Sequence, residues 1–193
     1  YAMQMSTRRR ELHFLAVEAL EEIYEEEIDH HYGQLAFHAE RADLKDKALH
    51  YLTLEGNRVF ELYQNAQAAD YFSRALALLP ETEYRARFDL LLERVEVYKR
   101  VGNREAQLAD IEAMEEYSGR LNDDERVTRA LIHHSRYFFI TSDFSRALDM
   151  AEQVIRSMGS RYPALVSDAF ALAASSLLRL GRLDESMKRA NEG

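Results

Sequence analysis

The apolar positions of this sequence recur at spacings of three and four residues, in pairs of segments separated by short turns. Four of the segments that follow a turn align without gaps, with starts 39, 40 and 39 residues apart, at Tyr63, Gly102, Ser142 and Gly181. The turns contain Gly, Asn, Ser and Asp, which end a helix by adopting a positive φ or begin one by capping free N–H groups. Each repeat is therefore predicted to be a helix, a tight turn and a second helix.

Two sets of positions predict where the paired helices touch. Five places after each start the second helix has a small residue in three of four repeats, at Ala68, Ala147 and Ser186, and Gln107 is the misfit. The first helices share one apolar face at their fourth, eighth and eleventh positions. These are Leu52, Gly56 and Val59; Leu91, Val95 and Tyr98; Leu131, Ser135 and Phe138; Phe170, Ala174 and Leu177. One hairpin cannot bury such a face alone, so we expect a stack of hairpins with a concave and a convex side.

This order of large, small and aromatic residues resembles the tetratricopeptide repeat. The second-helix pattern is followed closely by Ala68, Tyr71, Phe72, Ala75 and Pro80. The resemblance covers residues 28–193 and implies an all-α fold, a right-handed superhelical stack of antiparallel helix hairpins. The standard repeat has about 34 residues, whereas the period here is 39 to 40 residues. We therefore expect longer helices, around ten in all, and no β-sheet.

Residues 1–27 are predicted to form a capping or linker helix. Its amphipathic stripe consists of Leu12, Leu15, Ala16, Ala19, Leu20 and Ile23. The stretch from Arg9 through His13 and His38 to Leu52 looks like the segment that joins the ATPase part of large bacterial signalling ATPases of the STAND type to their repeats. Those regulators often carry a nucleotide-cyclase or helix-turn-helix effector domain. The chain has no initiator Met and stops within a repeat, so we expect it to be a piece of a longer protein.

Composition and motifs argue against several kinds of function. A net charge of −9 disfavours nucleic-acid binding, and no apolar run approaches the length of a membrane span. There is no cysteine, no glycine-rich phosphate-binding loop and no hydrolase motif. Glu27 and His30 have the Glu-x-x-His spacing of carboxylate-bridged metal sites, but no second copy exists for the other half of such a site. We therefore predict a cytoplasmic, non-enzymatic protein without cofactor or metal.

The resemblance implies that a partner binds on the inner face of the first helices. Mapping that face onto this sequence gives ten candidate residues: Asn57, Phe60, Glu96, Lys99, Arg100, Arg129, Arg136, Phe139, Ser175 and Arg179. The cations concentrate in the later repeats beside an aromatic residue, which favours a protein or peptide partner with an acidic segment and a hydrophobic anchor. The family's clamp for a C-terminal carboxylate is not reproduced, because Leu92 and Ile132 occupy its polar positions.

Two alternatives remain open at this point. The arginines of this face could simply balance nearby acids. The groove could also serve as the pocket of a small-ligand receptor or a helical enzyme, in which case a closed apolar pocket with perturbed titratable groups is expected.

Overall fold

The computed structural model describes residues 2–158 and 161–193, with side chains from residue 6 onward. These residues form α-helices joined by short turns, one 3-10 helix (Glu25–His31) and no strand. The helices are α1 (Ala2–Ile23), α2 (Tyr32–Ala42), α3 (Lys45–Glu61), α4 (Asn65–Leu78), α5 (Tyr84–Val101), α6 (Arg104–Leu121), α7 (Asp124–Ile140), α8 (Phe144–Met158), α9 (Pro163–Arg179) and α10 (Leu183–Glu192). The all-α class and the four predicted turns are confirmed.

The chain divides into two compact units, Tyr1–Asn103 and Arg104–Gly193. In the first unit each helix from α1 to α5 packs against the next along the chain. In the second unit α6 to α10 pack in the same sequential way, and α7 also contacts α9. Both units are therefore built of antiparallel helix hairpins, as the repeat pattern predicts.

The residue that opens each aligned segment is the residue that reverses the chain. Tyr63, Gly102, Ser142 and Gly181 all have positive φ, between 61° and 77°. At each turn the next residue's N–H bonds back to the carbonyl of the eleventh position of the preceding helix, as from Gln64 to Val59 O (2.9 Å) and from Asp143 to Phe138 O (2.8 Å). This is the Schellman arrangement, which satisfies the last carbonyls of a helix.

The small residues of the second helices lie where two helices cross. Ala68 and Ala147 are fully buried. The Ser135 hydroxyl on α7 donates to the carbonyl of Ala147 on α8 (2.8 Å). In the next hairpin the roles of the two helices are exchanged, because the Ser186 hydroxyl on α10 donates to the carbonyl of Ala174 on α9 (2.8 Å). A hydroxyl takes the place of a larger side chain at these crossings and bonds directly to the neighbouring backbone.

Gln107, the misfit among the small residues, is also buried, with 1 % of its surface exposed. Its side-chain oxygen accepts a hydrogen bond from the Arg104 guanidinium (2.7 Å), which lies one turn earlier on α6. A buried amide costs stability unless it is hydrogen-bonded, and this contact provides a partner. The position is therefore a core position that this repeat fills with a paired polar group.

Helix α1 packs against α2 by a different face from the one that the sequence pattern suggests. Val17 is fully buried, whereas Leu12, Leu15 and Ile23 of the predicted stripe are exposed by 59 %, 57 % and 71 %. Ala16 and Leu20, which also belong to the predicted stripe, are half-buried, so the stripe covers the first repeat only along that edge. The helix has apolar residues on two sides, and its contact with α2 uses the narrower one.

Polar contacts hold α1 in place beside this apolar contact. Glu21 accepts hydrogen bonds from Lys47 (2.5 Å) and Tyr51 (2.7 Å), both on α3. Burial works against the ionised form of Glu21, but these two bonds and the charge of Lys47 outweigh it and lower its pKa. Two turns earlier on the same face of α1, the Nδ1 atoms of His13 and His38 lie 2.9 Å apart. One ring must donate and the other accept, which requires at least one neutral imidazole.

Acidification should loosen this attachment. Burial, followed by the positive charges of His13 and Arg41, lowers the pKa of His38 below its ordinary value of 6.5. A depressed histidine pKa means that the neutral form is favoured in the folded state. Its stabilisation is therefore complete above about pH 6.5 and is lost as the pH falls below that value. We expect the urea midpoint to fall between pH 7.5 and pH 5.5, and His38→Gln to reduce that fall.

The matched control is His30→Gln, because the His30 side chain is 70 % exposed. This variant should keep the wild-type dependence on pH. A pH dependence that His38→Gln leaves unchanged would show that the pair between α1 and α2 does not control it.

Candidate partner-binding face

The predicted face of the second unit is formed by α7 and α9, which lie side by side. A hydrogen-bonded ion pair joins them, from the Arg136 guanidinium on α7 to the Asp168 carboxylate on α9 (2.7 Å). The two side chains are 36 % and 48 % exposed. Arg136 is therefore at the surface as expected, with an acid of the neighbouring repeat beside it. Asp168 lies outside the ten candidates, although its spacing from Ser175 along α9 places both on one face.

The other candidates of this face differ in their surroundings. Arg129 pairs with Glu125 one turn earlier on α7 (2.7 Å). Ser175 and Arg179 are exposed and lie one turn apart on α9. Arg179 forms no ion pair with any side chain that the structure describes, so its guanidinium faces solvent. In the free protein Arg129 and Arg136 are therefore paired with nearby acids, as the charge-balance alternative expects. Arg179 is not paired with any side chain that the structure describes.

Aromatic and apolar side chains lie at the end of this face where α7 meets α8. The ring of Phe139 is half-buried and meets the ring of Phe144 edge to face, with centroids 5.4 Å apart. Leu178, beside Arg179 in the chain, is 54 % exposed. Phe144 was not among the candidates; an aromatic residue directly after a turn is the signal that could have identified it. Phe139 and Phe144 thus form an aromatic pair at the end of α7, and Leu178 adds an exposed apolar side chain next to Arg179 at the end of α9.

Ile132 is not part of the face. It is 2 % exposed and belongs to the core cluster of the second unit with Val154, Val166 and Ala169. Ile132, which the sequence pattern matches to a polar position of the carboxylate clamp, is therefore a buried core residue in this chain.

In the first unit the structure brings Phe60 and Arg100 together. The Arg100 guanidinium lies over the Phe60 ring at 3.5 Å and 5.1 Å from the Tyr63 ring centre. It also donates a hydrogen bond to the Phe60 carbonyl (2.7 Å). Tyr63, which the sequence suggested only as a turn residue, is 78 % exposed. This arginine lies within cation–π distance of both rings, so its charge is less available than that of Arg179.

The remaining candidates of the first unit lie among more acidic side chains than those of the α7–α9 face. Asn57 is half-buried on α3, and Lys99 pairs with Glu96 within α5. The neighbouring Glu93 has a raised pKa, because it is partly buried and because Glu96 and Asp89 add negative charge. The face of the first unit is thus more acidic than the α7–α9 face, as the concentration of cations in the later repeats suggests.

Other polar clusters are paired internally. His134, half-buried on α7, stacks on Phe138 and bonds through Nδ1 to Glu115 (2.7 Å). A hollow of about 370 Å³ on the second unit is lined mostly by charged groups, including the pairs Arg189–Glu152 (2.8 Å) and Arg182–Glu185 (2.6 Å). Within the described residues no three His, Asp or Glu side chains are placed to bind a metal ion. None of the described helices combines the length and apolarity that crossing a membrane requires.

Comparison with known proteins supports the fold alone. No family model matches the chain, and no curated protein matches it in sequence. Two crystal structures of a putative kinesin light chain with nearly identical TPR-like repeats from Podosopora anserina, one of them a variant, are similar. They have TM-scores of 0.73 and 0.71 at 15 % identity, covering 97 % and 96 % of this chain and 93 % of each of those chains.

The crystal structure of BtubC (BKLC) from P. vanneervenii is also similar, with a TM-score of 0.66 at 14 % identity. The match covers 97 % of this chain and 89 % of that one. At such low identity a shared structure carries no shared binding site. The turns, the helix crossings and these similarities together show that the chain has a tetratricopeptide-like fold.

Proposed function

We propose that this chain is a non-catalytic protein-interaction module, and that the α7–α9 face binds an acidic segment carrying a hydrophobic residue. The observation that carries the proposal is the combination on this face of the unpaired Arg179, the exposed Leu178 and the half-buried Phe139. An exposed cation beside an apolar anchor is the arrangement that recognises such a segment.

Asp168 forms an ion pair with Arg136, the second cation of this face. An exposed ion pair such as Arg136–Asp168 contributes at most about 1 kcal/mol, because water and salt screen it. A carboxylate of the partner can therefore take the place of Asp168 on Arg136 at small cost. Arg136 and Arg179 would then hold two acids of the bound segment, and Leu178 and Phe139 would contact its apolar residue.

Charge reversal on this face should weaken binding without unfolding the protein. A suitable probe is a fluorescein-labelled peptide in which two glutamates flank a leucine, followed by anisotropy. We expect Arg136→Glu combined with Arg179→Glu to weaken binding by at least about tenfold at low salt, which corresponds to ~1.4 kcal/mol. We expect Asp168→Asn to strengthen it several-fold, because this substitution frees Arg136.

A peptide with lysines in place of the glutamates controls for non-specific binding, and it should respond in the opposite direction. Circular dichroism should show the same helix content for all variants. Equal affinity of the wild type and the double variant for the acidic peptide would refute this location of the binding site.

We further propose that the module serves a multidomain signalling ATPase in the cytoplasm, where it holds or senses another part of the regulatory machinery. The support is the resemblance of the stretch from Arg9 to Leu52 to the linker of such regulators, together with the absence of cysteine. The gene's full open reading frame tests this, because it should encode a nucleotide-binding domain before residue 1. A frame without one would contradict it.

A further inference from the structure

Helix α1 presents an apolar stripe to solvent on the side away from α2. Leu12, Leu15 and Ile23 are each more than half exposed, and Ala19 between them is exposed as well. Their spacings of three and four residues keep them on one face over the second half of a helix of 22 residues, which is about 33 Å long. Such a continuous stripe is the seam by which two helices pair.

The charges beside this stripe are separated along the helix, apart from Glu11, which is exposed near the arginines. Arg8 and Arg9 are exposed toward the beginning of α1, and Glu18 and Glu22 are exposed toward its end. None of these four forms an ion pair with any side chain in the described part of the chain. Acids near the last turn oppose the helix dipole, so this arrangement does not stabilise α1 itself.

The acidic end continues beyond the helix. An open hollow of about 410 Å³ follows the last turn of α1 and is lined by Glu22, Ile23, Tyr24 and three further glutamates, Glu25, Glu26 and Glu27. Its lining is mostly carboxylate, with apolar groups at one side. It is complementary in charge to the arginines at the other end of α1.

We propose that two copies of this chain pair through α1 in antiparallel orientation. In that orientation the stripes at residues 12–23 face each other, and the arginine end of each copy lies beside the exposed glutamates that follow α1 in the other, Glu25, Glu26 and Glu27. A parallel pair would place arginines against arginines and glutamates against glutamates, which costs stability. The distribution of charge therefore indicates that a second copy of this chain covers the stripe and that the two helices are antiparallel.

A pair of single helices gives a small interface, so the dimer is reversible. Sedimentation velocity of the full 193-residue chain at increasing concentration should show exchange between monomer and dimer. Leu15→Glu should raise the dissociation constant by at least about tenfold. Leu183→Glu is the matched control, since Leu183 is equally exposed but lies on α10; it should leave dimerisation unchanged.

A chain that stays monomeric at every concentration would overturn the proposal. The same follows if Leu15→Glu has no effect, or if Leu183→Glu weakens the dimer as much as Leu15→Glu does.

Charge reversal tests the direction. One variant combines Arg8→Glu with Arg9→Glu, and the other combines Glu26→Lys with Glu27→Lys, which are the exposed acids opposite those arginines when the stripes face each other. Each alone should weaken self-association by about tenfold, because both ends then bring like charges together. An equimolar mixture of the two should dimerise as strongly as the wild type, which also shows that each variant is folded.

In a parallel pair the same end of each helix meets its own copy. Reversing the charges at that end therefore only replaces one contact between like charges with another. Single variants that dimerise as well as the wild type would therefore overturn the antiparallel arrangement. Loss of dimerisation in both variants without recovery in the mixture would overturn the pairing through α1.

Discussion

Replacement of Ala147 by arginine should cause the largest loss of stability that we expect from a single substitution, and it acts on the second unit. Ala147 has no exposed surface, and its backbone carbonyl accepts the hydrogen bond from Ser135 across the crossing of α7 and α8. An arginine at this position must either separate the two helices or bury an unpaired guanidinium. A buried charge without a partner costs about 3–5 kcal/mol. Since the whole stability of such a domain is about 5–15 kcal/mol, much of it is lost.

Thermal unfolding followed by circular dichroism measures this effect. For a unit of this size each kcal/mol lowers Tm by about 4–8 °C, so a fall of at least about 12 °C is expected. The matched control is Ala171→Arg, because Ala171 is exposed in the middle of α9. This second variant should melt within a few degrees of the wild type. If Ala147→Arg melts like Ala171→Arg, the assignment of Ala147 to the helix crossing is wrong.

Gly56→Leu should have the second-largest effect, and it acts on the first unit. A Cβ atom at Gly56 would lie 2.9 Å from Cε1 of Phe72 and 3.1 Å from two further ring atoms. Phe72 is fully buried on α4, so its ring cannot move aside without displacing the core. Overpacking of this kind costs about 1–3 kcal/mol, and this cost exceeds the gain in helix propensity from removing a glycine.

The control for this substitution is Gly119→Leu. Gly119 is also helical, but it is exposed and nothing lies within 4 Å of an added Cβ atom. There the helix propensity acts alone and should stabilise the protein by up to about 1 kcal/mol. Urea unfolding should therefore shift the two midpoints in opposite directions. A shift in the same direction would show that α3 and α4 do not meet at Gly56 and Phe72.

The candidate site could be predicted only in part. The spacing of Arg136 and Arg179 along their helices was enough to predict that both side chains reach the surface. The partner of Arg136 could not be predicted, because Asp168 is 32 residues away in the chain and the pair forms only when α7 and α9 lie side by side. The burial of Ile132 could not be predicted either, since the facing residues belong to α8 and α9.

The sequence by itself determined the helices, the four repeat turns and the small residues at the crossings. These depend on contacts within one hairpin, where helical spacing and turn chemistry leave few choices. Tertiary structure decided which side of α1 packs on α2 and how Gln107 is paired. It also decided which cations remain free. The reason is physical: a helix with apolar residues on two sides carries no local preference between them, and the neighbouring helix selects one by shape and by the polar contacts at His38, Lys47 and Tyr51.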